Sequence, residues 1–245
     1  MLLGDDVVDT DAARHTSERA RDRFAARILG KDAAESLDRW HTNDREILLW
    51  ALFAAKEAAY KALSRRAPGL VFAHAEFVVA PDLRCVTHRG VVLALEIARG
   101  DGWVHALAFT PGARPTWALA RAGADSDASA AARRLLCAHA APRLGVAPES
   151  LTVVRDPRPG SWDGFGPPRL EPRTPPGGGA WAPQATTPHA PLSPSTPPRL
   201  PVPFLPAIVS LAHHGRFVSC AHLALDRGEA RDRVERTAAH VDLRA

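Results

Sequence analysis

Sixteen of the chain's 22 prolines fall within residues 157–206, and that run limits the fold more than any other feature. Proline removes a helix hydrogen bond and is confined to edges and bulges of sheets, so neither a helix nor a central strand is expected to fill much of this span. The expectation is a long, extended surface loop. Ordered structure then has to come from the residues before it and from the apolar tract AIVSLAHHGRFVSCAHLAL, residues 207–225, after it. A chain of 245 residues can still bury a sizeable core, as one large domain or two modest ones.

Before the proline run the strongest local signal is a helix. Residues 47–64 lack Gly and Pro and place Leu48, Ala51, Ala55, Ala58, Ala62 and Leu63 at helical spacing. Asn43 and Glu46 form a capping-box-like start, and Pro68 with Gly69 mark the stop. Phe53, Glu57 and Lys61 share one side of this helix. A second helical pattern covers residues 17–37, with Phe24, Ile28 and Leu29 as apolar contacts and Gly30 as a break. The segment LLGDDVVD at residues 2–9 reads as a short strand with Asp6 near its end. Strand-like runs at residues 70–79, 91–97 and 103–109, separated by turn signals, predict an antiparallel sheet beside the long helix. A further helix is expected over residues 128–141, ended by Pro142 and Gly145, then a strand over 151–154. Residues 207–225 predict paired strands or a strand with a short helix, and the charged end from residue 227 a terminal helix or frayed tail. The expected class is α+β.

Composition narrows the functions. The 31 basic and 27 acidic residues give a net charge of +4, and they are interspersed, which does not indicate a nucleic-acid binder but suits an acidic protein partner. Cys85, Cys137 and Cys220 are far apart and lack metal-site spacing, so buried thiols in a reducing compartment are expected. No apolar run approaches bilayer length, and the expectation is a cytoplasmic protein without a membrane partner. Against 28 arginines there are three lysines, and two of them, Lys56 and Lys61, sit on adjacent turns of the long helix. Lysine supplies a compact, flexible point charge that arginine does not.

Three stretches could carry chemistry: GDDVVD at residues 4–9, FAAKEAAYK at 53–61 and SLAHHGRF at 210–217. Each has a plain explanation on its own: an acidic cap, an i,i+4 Glu57–Lys61 pair worth about 0.3 kcal/mol, and a solvated turn. In this order and on these local structures they resemble the 4'-phosphopantetheinyl transferase superfamily. Gly4 and Asp6 match its strand-borne GxD motif. Phe53, Lys56, Glu57, Ala58 and Lys61 match its helical (F/W)xxKEAxxxK motif, and Ser210, His213 and Gly215 its SxSHxG-like motif. The motif order is similar to the short holo-acyl-carrier-protein synthase type, although the chain is about twice as long. The stretch ARRLLCAHAAPRLGVAPESLTVVRD is similar to the first half of the longer pseudodimeric type.

The resemblance implies a circularly permuted pseudodimer, working as a monomer, of two similar halves, each a small antiparallel sheet on a long helix. Residues 1–124 would form one half and 125–245, with the Pro-rich loop at about 157–206, the other. It also implies the reaction: a carrier-protein serine attacks the pyrophosphate of coenzyme A, takes up 4'-phosphopantetheine and releases 3',5'-ADP. Asp6 and Glu57 would hold Mg2+, and Lys61 would face the pyrophosphate. His213 and Ser210 would contact coenzyme A, and Lys56 would help position the reacting groups or the 3'-phosphate. Asp9 would assist the metal through water, and either Glu57 or a metal-bound water would take the serine proton. Ala212 stands where the family has serine, and Pro167 where it has lysine, with Arg169, Arg199 or Arg216 as replacements for the lost contacts. Those two departures motivate a second reading, a homologue that binds an acyl or peptidyl carrier protein without modifying it.

Overall fold

A computed structural model of the chain describes residues 1–13, 18–29, 42–123, 127–161, 164–173 and 207–224. Its first strand, β1 (Leu3–Asp9), is buried along its whole length and runs through the middle of the molecule. The short helix α1 (Thr10–Ala13), the helix α2 (Glu18–Leu29) and the long helix α3 (Thr42–Ser64) follow. The strands β2 (Val78–Val79), β3 (Cys85–His88), β4 (Val91–Gly100) and β5 (Trp103–Phe109) join β1 in an antiparallel sheet of order β1-β5-β4-β3-β2. A second sheet, of order β6-β10-β9, is made from β6 (Thr116–Arg121), β9 (Ala207–His214) and β10 (Phe217–Ala224). Helix α4 (Ala128–Leu144) covers it, and β7 (Leu151–Val154) pairs with β8 (Arg169–Pro172) beside it.

Alternation along β1 explains the layering, because successive side chains of a strand point to opposite faces. Val8 packs with Ala51, Ala54, Ala55, Ala58 and Ala62 of α3. On the opposite face Leu3 packs with Ile208, Ala221 and Leu223, and Val7 with Ala212 and Phe217 of the second sheet. The run of alanines lets α3 lie unusually close to β1. A Cβ added to Gly4 would sit only 2.6 Å from the Ala62 nitrogen, so glycine is required there by contact with the helix backbone. The outer face of the second sheet, through Val209 and Cys220, packs on Leu136 and Ala140 of α4 and on Leu151 and Leu170 of the β7–β8 hairpin.

β1 and β9 are edge strands of different sheets, and they meet through side chains instead of a main-chain ladder. The Asp5 amide donates to Ser210 Oγ at 3.0 Å and the Asp9 amide to His214 Nδ1 at 3.0 Å. Arg65, just past α3, donates to the carbonyls of both Leu3 and Val209. These contacts pair part of the free edge of β1 without a neighbouring strand and cover it from solvent.

Several expectations change. Asp6 lies in the middle of β1, not near its end. Of residues 70–79 only Val78–Val79 is a strand; Leu70, Phe72 and Phe77 instead turn inward onto α3, around a 3-10 turn at His74–Glu76. β3 and β6 were not anticipated from the sequence. Helix α4 continues past Pro142 to Leu144, where Gly145 in the left-handed region (φ 67°) donates back to the Ala141 carbonyl. The Pro-rich span is not all loop, since β8 lies within it; Pro172 is tolerated because a two-stranded sheet has only edges. Residues 174–206 and 225–245 lie outside the described residues, as do Gly30 to Trp40 of the second expected helix and its following loop.

Candidate active site

The face of β1 toward α3 brings Asp6 and Lys61 together. The Lys61 ammonium lies 2.7 Å from Asp6 Oδ1 and also donates to the Asp5 carbonyl at 3.1 Å. Its partner is thus a residue 55 positions away, whereas the helical neighbour Glu57 interacts with it only electrostatically. Burial works against the Lys61 charge, but Asp6 and Asp5 outweigh it and raise its pKa. Asp6, 7% exposed, has its pKa raised by burial, with Lys61 pulling it the other way. Glu57 is pushed up to about 7 by burial and by the negative charge of Asp6.

Lys61 stands where two cavities meet. One, of about 410 Å³, lies between the C-terminal end of α3, the first turns of α4, residues 155–161 and 165–168, and β9. Its walls carry Lys61, Arg65, Arg133, Arg155 and Arg158, together with Ser64, Ser129, Ser161, Ser210 and His213, and among the described residues no carboxylate lines it. Five cations around one cavity, with hydroxyls between them, suit a polyanionic ligand. The other cavity, of about 570 Å³, is lined by Glu57, Tyr60 and Lys61 and by the apolar stretch Leu70, Val71 and Phe72.

The expected site residues divide. Asp6, Glu57, Lys61, Ser210 and His213 gather around these cavities. Ser210 serves two purposes, lining the cationic cavity while accepting the Asp5 amide. Lys56 is elsewhere: it is 5% exposed, donates to the carbonyls of Ile28 and His74, and lines neither cavity. Burial lowers its pKa to about 8. Asp9 is likewise occupied. Its carboxylate accepts from the Arg216 side chain and amide and from the Asp11 and Ala12 amides, and Arg216 holds its pKa well below the usual carboxylate range. The Arg216 guanidinium is committed to Asp9 and Asp11, and that of Arg169 to Asp156 and Glu171, so neither replaces the missing family contacts; Arg199 lies outside the described residues.

Sequence reading missed Arg65, Arg133, Arg155 and Arg158. In a chain with 28 arginines nothing distinguishes them until the fold places them on one wall. It also passed over Asp5, fully buried beside Ser219 and His105.

Among the described residues no group of three or more His, Cys, Asp and Glu side chains could enclose a metal. Asp6 and Glu57 nevertheless fit a hard divalent cation that takes one or two carboxylates and completes its shell with phosphate oxygens and water. Burial raises the pKa of both, and the negative charge of Asp6 raises that of Glu57 further; a divalent cation between them would offset both costs. A carboxylate pair beside a cation-lined cavity suits a phosphorylated ligand. Residues 2–99, with β1, α3 and their Asp6, Glu57 and Lys61, match the 4'-phosphopantetheinyl transferase superfamily. The resemblance carried by the motifs holds over that segment, and its members transfer phosphopantetheine. No curated protein matches the chain.

Proposed function

We propose that this protein transfers 4'-phosphopantetheine from coenzyme A to a serine of an acyl or peptidyl carrier protein, releasing 3',5'-ADP. The observation that carries the reading is the junction at Lys61, where the Asp6–Glu57 carboxylate pair meets a cavity lined by five cations. Arg133, Arg155, Arg158 and His213 bind the nucleotide phosphates from the side of the second sheet. Asp6 and Glu57 hold Mg2+, which supplies charge neutralisation at the pyrophosphate. Lys61, fixed by the Asp6 carboxylate and the Asp5 carbonyl, keeps its proton and offers a point charge where the leaving 3',5'-ADP gains negative charge.

The charge lost with Pro167 in place of lysine is replaced by Arg155 and Arg158, which line the same wall. The intact Asp6, Glu57 and Lys61 set favours catalysis over mere carrier binding. A permuted pseudodimer of residues 1–124 and 125–245, active as a monomer in the cytoplasm, is supported by two antiparallel sheets that each have their own long helix and meet at β1 and β9, with β6 crossing into the second sheet. The deciding experiment is mass spectrometry of apo carrier proteins incubated with the protein, coenzyme A and Mg2+. Addition of phosphopantetheine is expected; no mass gain on any of a fatty-acid, a polyketide and a peptide carrier would refute the proposal.

A further inference from the structure

Asp5, the open middle position of the GxD motif, touches three strands at once. Its amide donates to Ser210 Oγ of β9 at 3.0 Å, its Oδ2 accepts from Ser219 Oγ of β10 at 2.7 Å, and the same oxygen lies 3.7 Å from His105 Nε2 of β5. Asp5, Ser219 and His105 are at most 1% exposed. Asp5 Oδ1 has no hydrogen-bond partner among the described residues. On the same face of β1 the flanking residues, Leu3 and Val7, are ordinary apolar packing. A half-satisfied carboxylate is a poor way to stabilise such a seam, since an apolar side chain of similar size does as well or better. What polar contacts provide that apolar packing does not is a fixed register.

We propose that Asp5 is a positioning residue that clamps the β9–β10 hairpin, bearing Ser210 and His213, against the strand bearing Asp6. The proposal rests on the transferase reading above. The clamp joins the two walls of the site. Nucleotide-binding groups stand on the second-sheet side, and the carboxylate pair and Lys61 stand on β1 and α3. A slip between the walls leaves each binding surface intact but moves the pyrophosphate off the carboxylates.

The test compares Ser219→Ala, the double variant Asp5→Val with Ser219→Ala, and the conservative Asp5→Asn, which keeps an acceptor for the Ser219 hydroxyl. In the first two, kcat is expected to fall about tenfold or more, with KM for coenzyme A within about twofold of wild type, and Asp5→Asn is expected to recover most of the rate. A double variant that folds and turns over at the wild-type rate overturns the proposal, as does a loss confined to KM. Hydrogen exchange gives a readout independent of activity. In Ser219→Ala the Asp5 amide should exchange about tenfold faster while the Cys220 amide is unchanged, and an unchanged Asp5 amide overturns the clamp even if the double variant does not fold. Absence of transfer by the wild-type protein refutes the transferase reading alone, and the exchange measurement still decides whether the clamp exists.

Discussion

Lys56 and Lys61 lie five residues apart on one helix and in one motif, yet their surroundings have little in common. The surroundings of Lys56 are closed: it is buried, and its ammonium donates to the carbonyls of Ile28 and His74. The Lys61 end is open, bordered by two cavities and paired with a carboxylate that has another carboxylate beside it. Burying a charge among carbonyls that satisfy it ties α2 and the 3-10 turn to α3. A charge that faces a cavity and a carboxylate pair is available to a ligand. One motif therefore supplies both a brace and a working group, and the helix repeat separates them.

The sharpest way to break this contrast is at the open end. Asp6→Asn and Glu57→Gln should each lower phosphopantetheine transfer by about 10³-fold or more, with the thermal midpoint within a few degrees of wild type. Lys61→Met should reduce kcat by about 10²-fold in the same assay. A wild-type rate for Lys61→Met would mean that the open end is no more catalytic than the closed one. On the opposite wall, Arg133→Ala should raise KM for coenzyme A about tenfold and leave kcat nearly unchanged, separating nucleotide binding from chemistry. Lys56→Met should do the reverse of Lys61→Met, costing about 1–3 kcal/mol in urea unfolding while the folded fraction keeps its kcat.

The smallest effect is in pH. Burial, with Arg27 and Lys56 nearby, lowers the His74 pKa to about 4, and burial, with His139 and Arg143, does the same for His222. Both remain neutral in the folded protein while the unfolded chain takes up protons below about 6.5. Unfolded molecules thus bind more protons between pH 6.5 and 4, so stability is full above 6.5 and falls as pH drops through that window. Lys56→Met removes one of the charges opposing His74, and the slope of stability against pH should become shallower in that variant.

How far these features could be read from sequence depends on how local their causes are. The helix α3 was legible because eighteen residues without Gly or Pro leave few alternatives, and β5 because its apolar run is bounded by turns. Asp6, Glu57 and Lys61 could be found because motif spacing records which side chains converge. The direct Lys61–Asp6 pair could not, because helix spacing points to Glu57 and only the close packing of β1 on α3 brings the carboxylate from position 6 within reach. The different surroundings of Lys56 could not be read for a related reason: nothing local distinguishes a lysine that turns toward backbone carbonyls from one that turns toward a cavity. The arginine cluster is assembled from the turn after α3, from α4 and from the segment between β7 and β8, so its charges become a group only in three dimensions.

Gly4 gives the site its gauge. Main chain rests on main chain where β1 crosses α3, and no side chain at that point can swell, shrink or change rotamer. The span from Asp6 to Glu57 is therefore set by two backbones in contact, two residues away on the strand and one from Ala58 on the helix. A single methyl at position 4 would push the helix off the strand and widen it, detuning the carboxylate pair without touching either carboxylate.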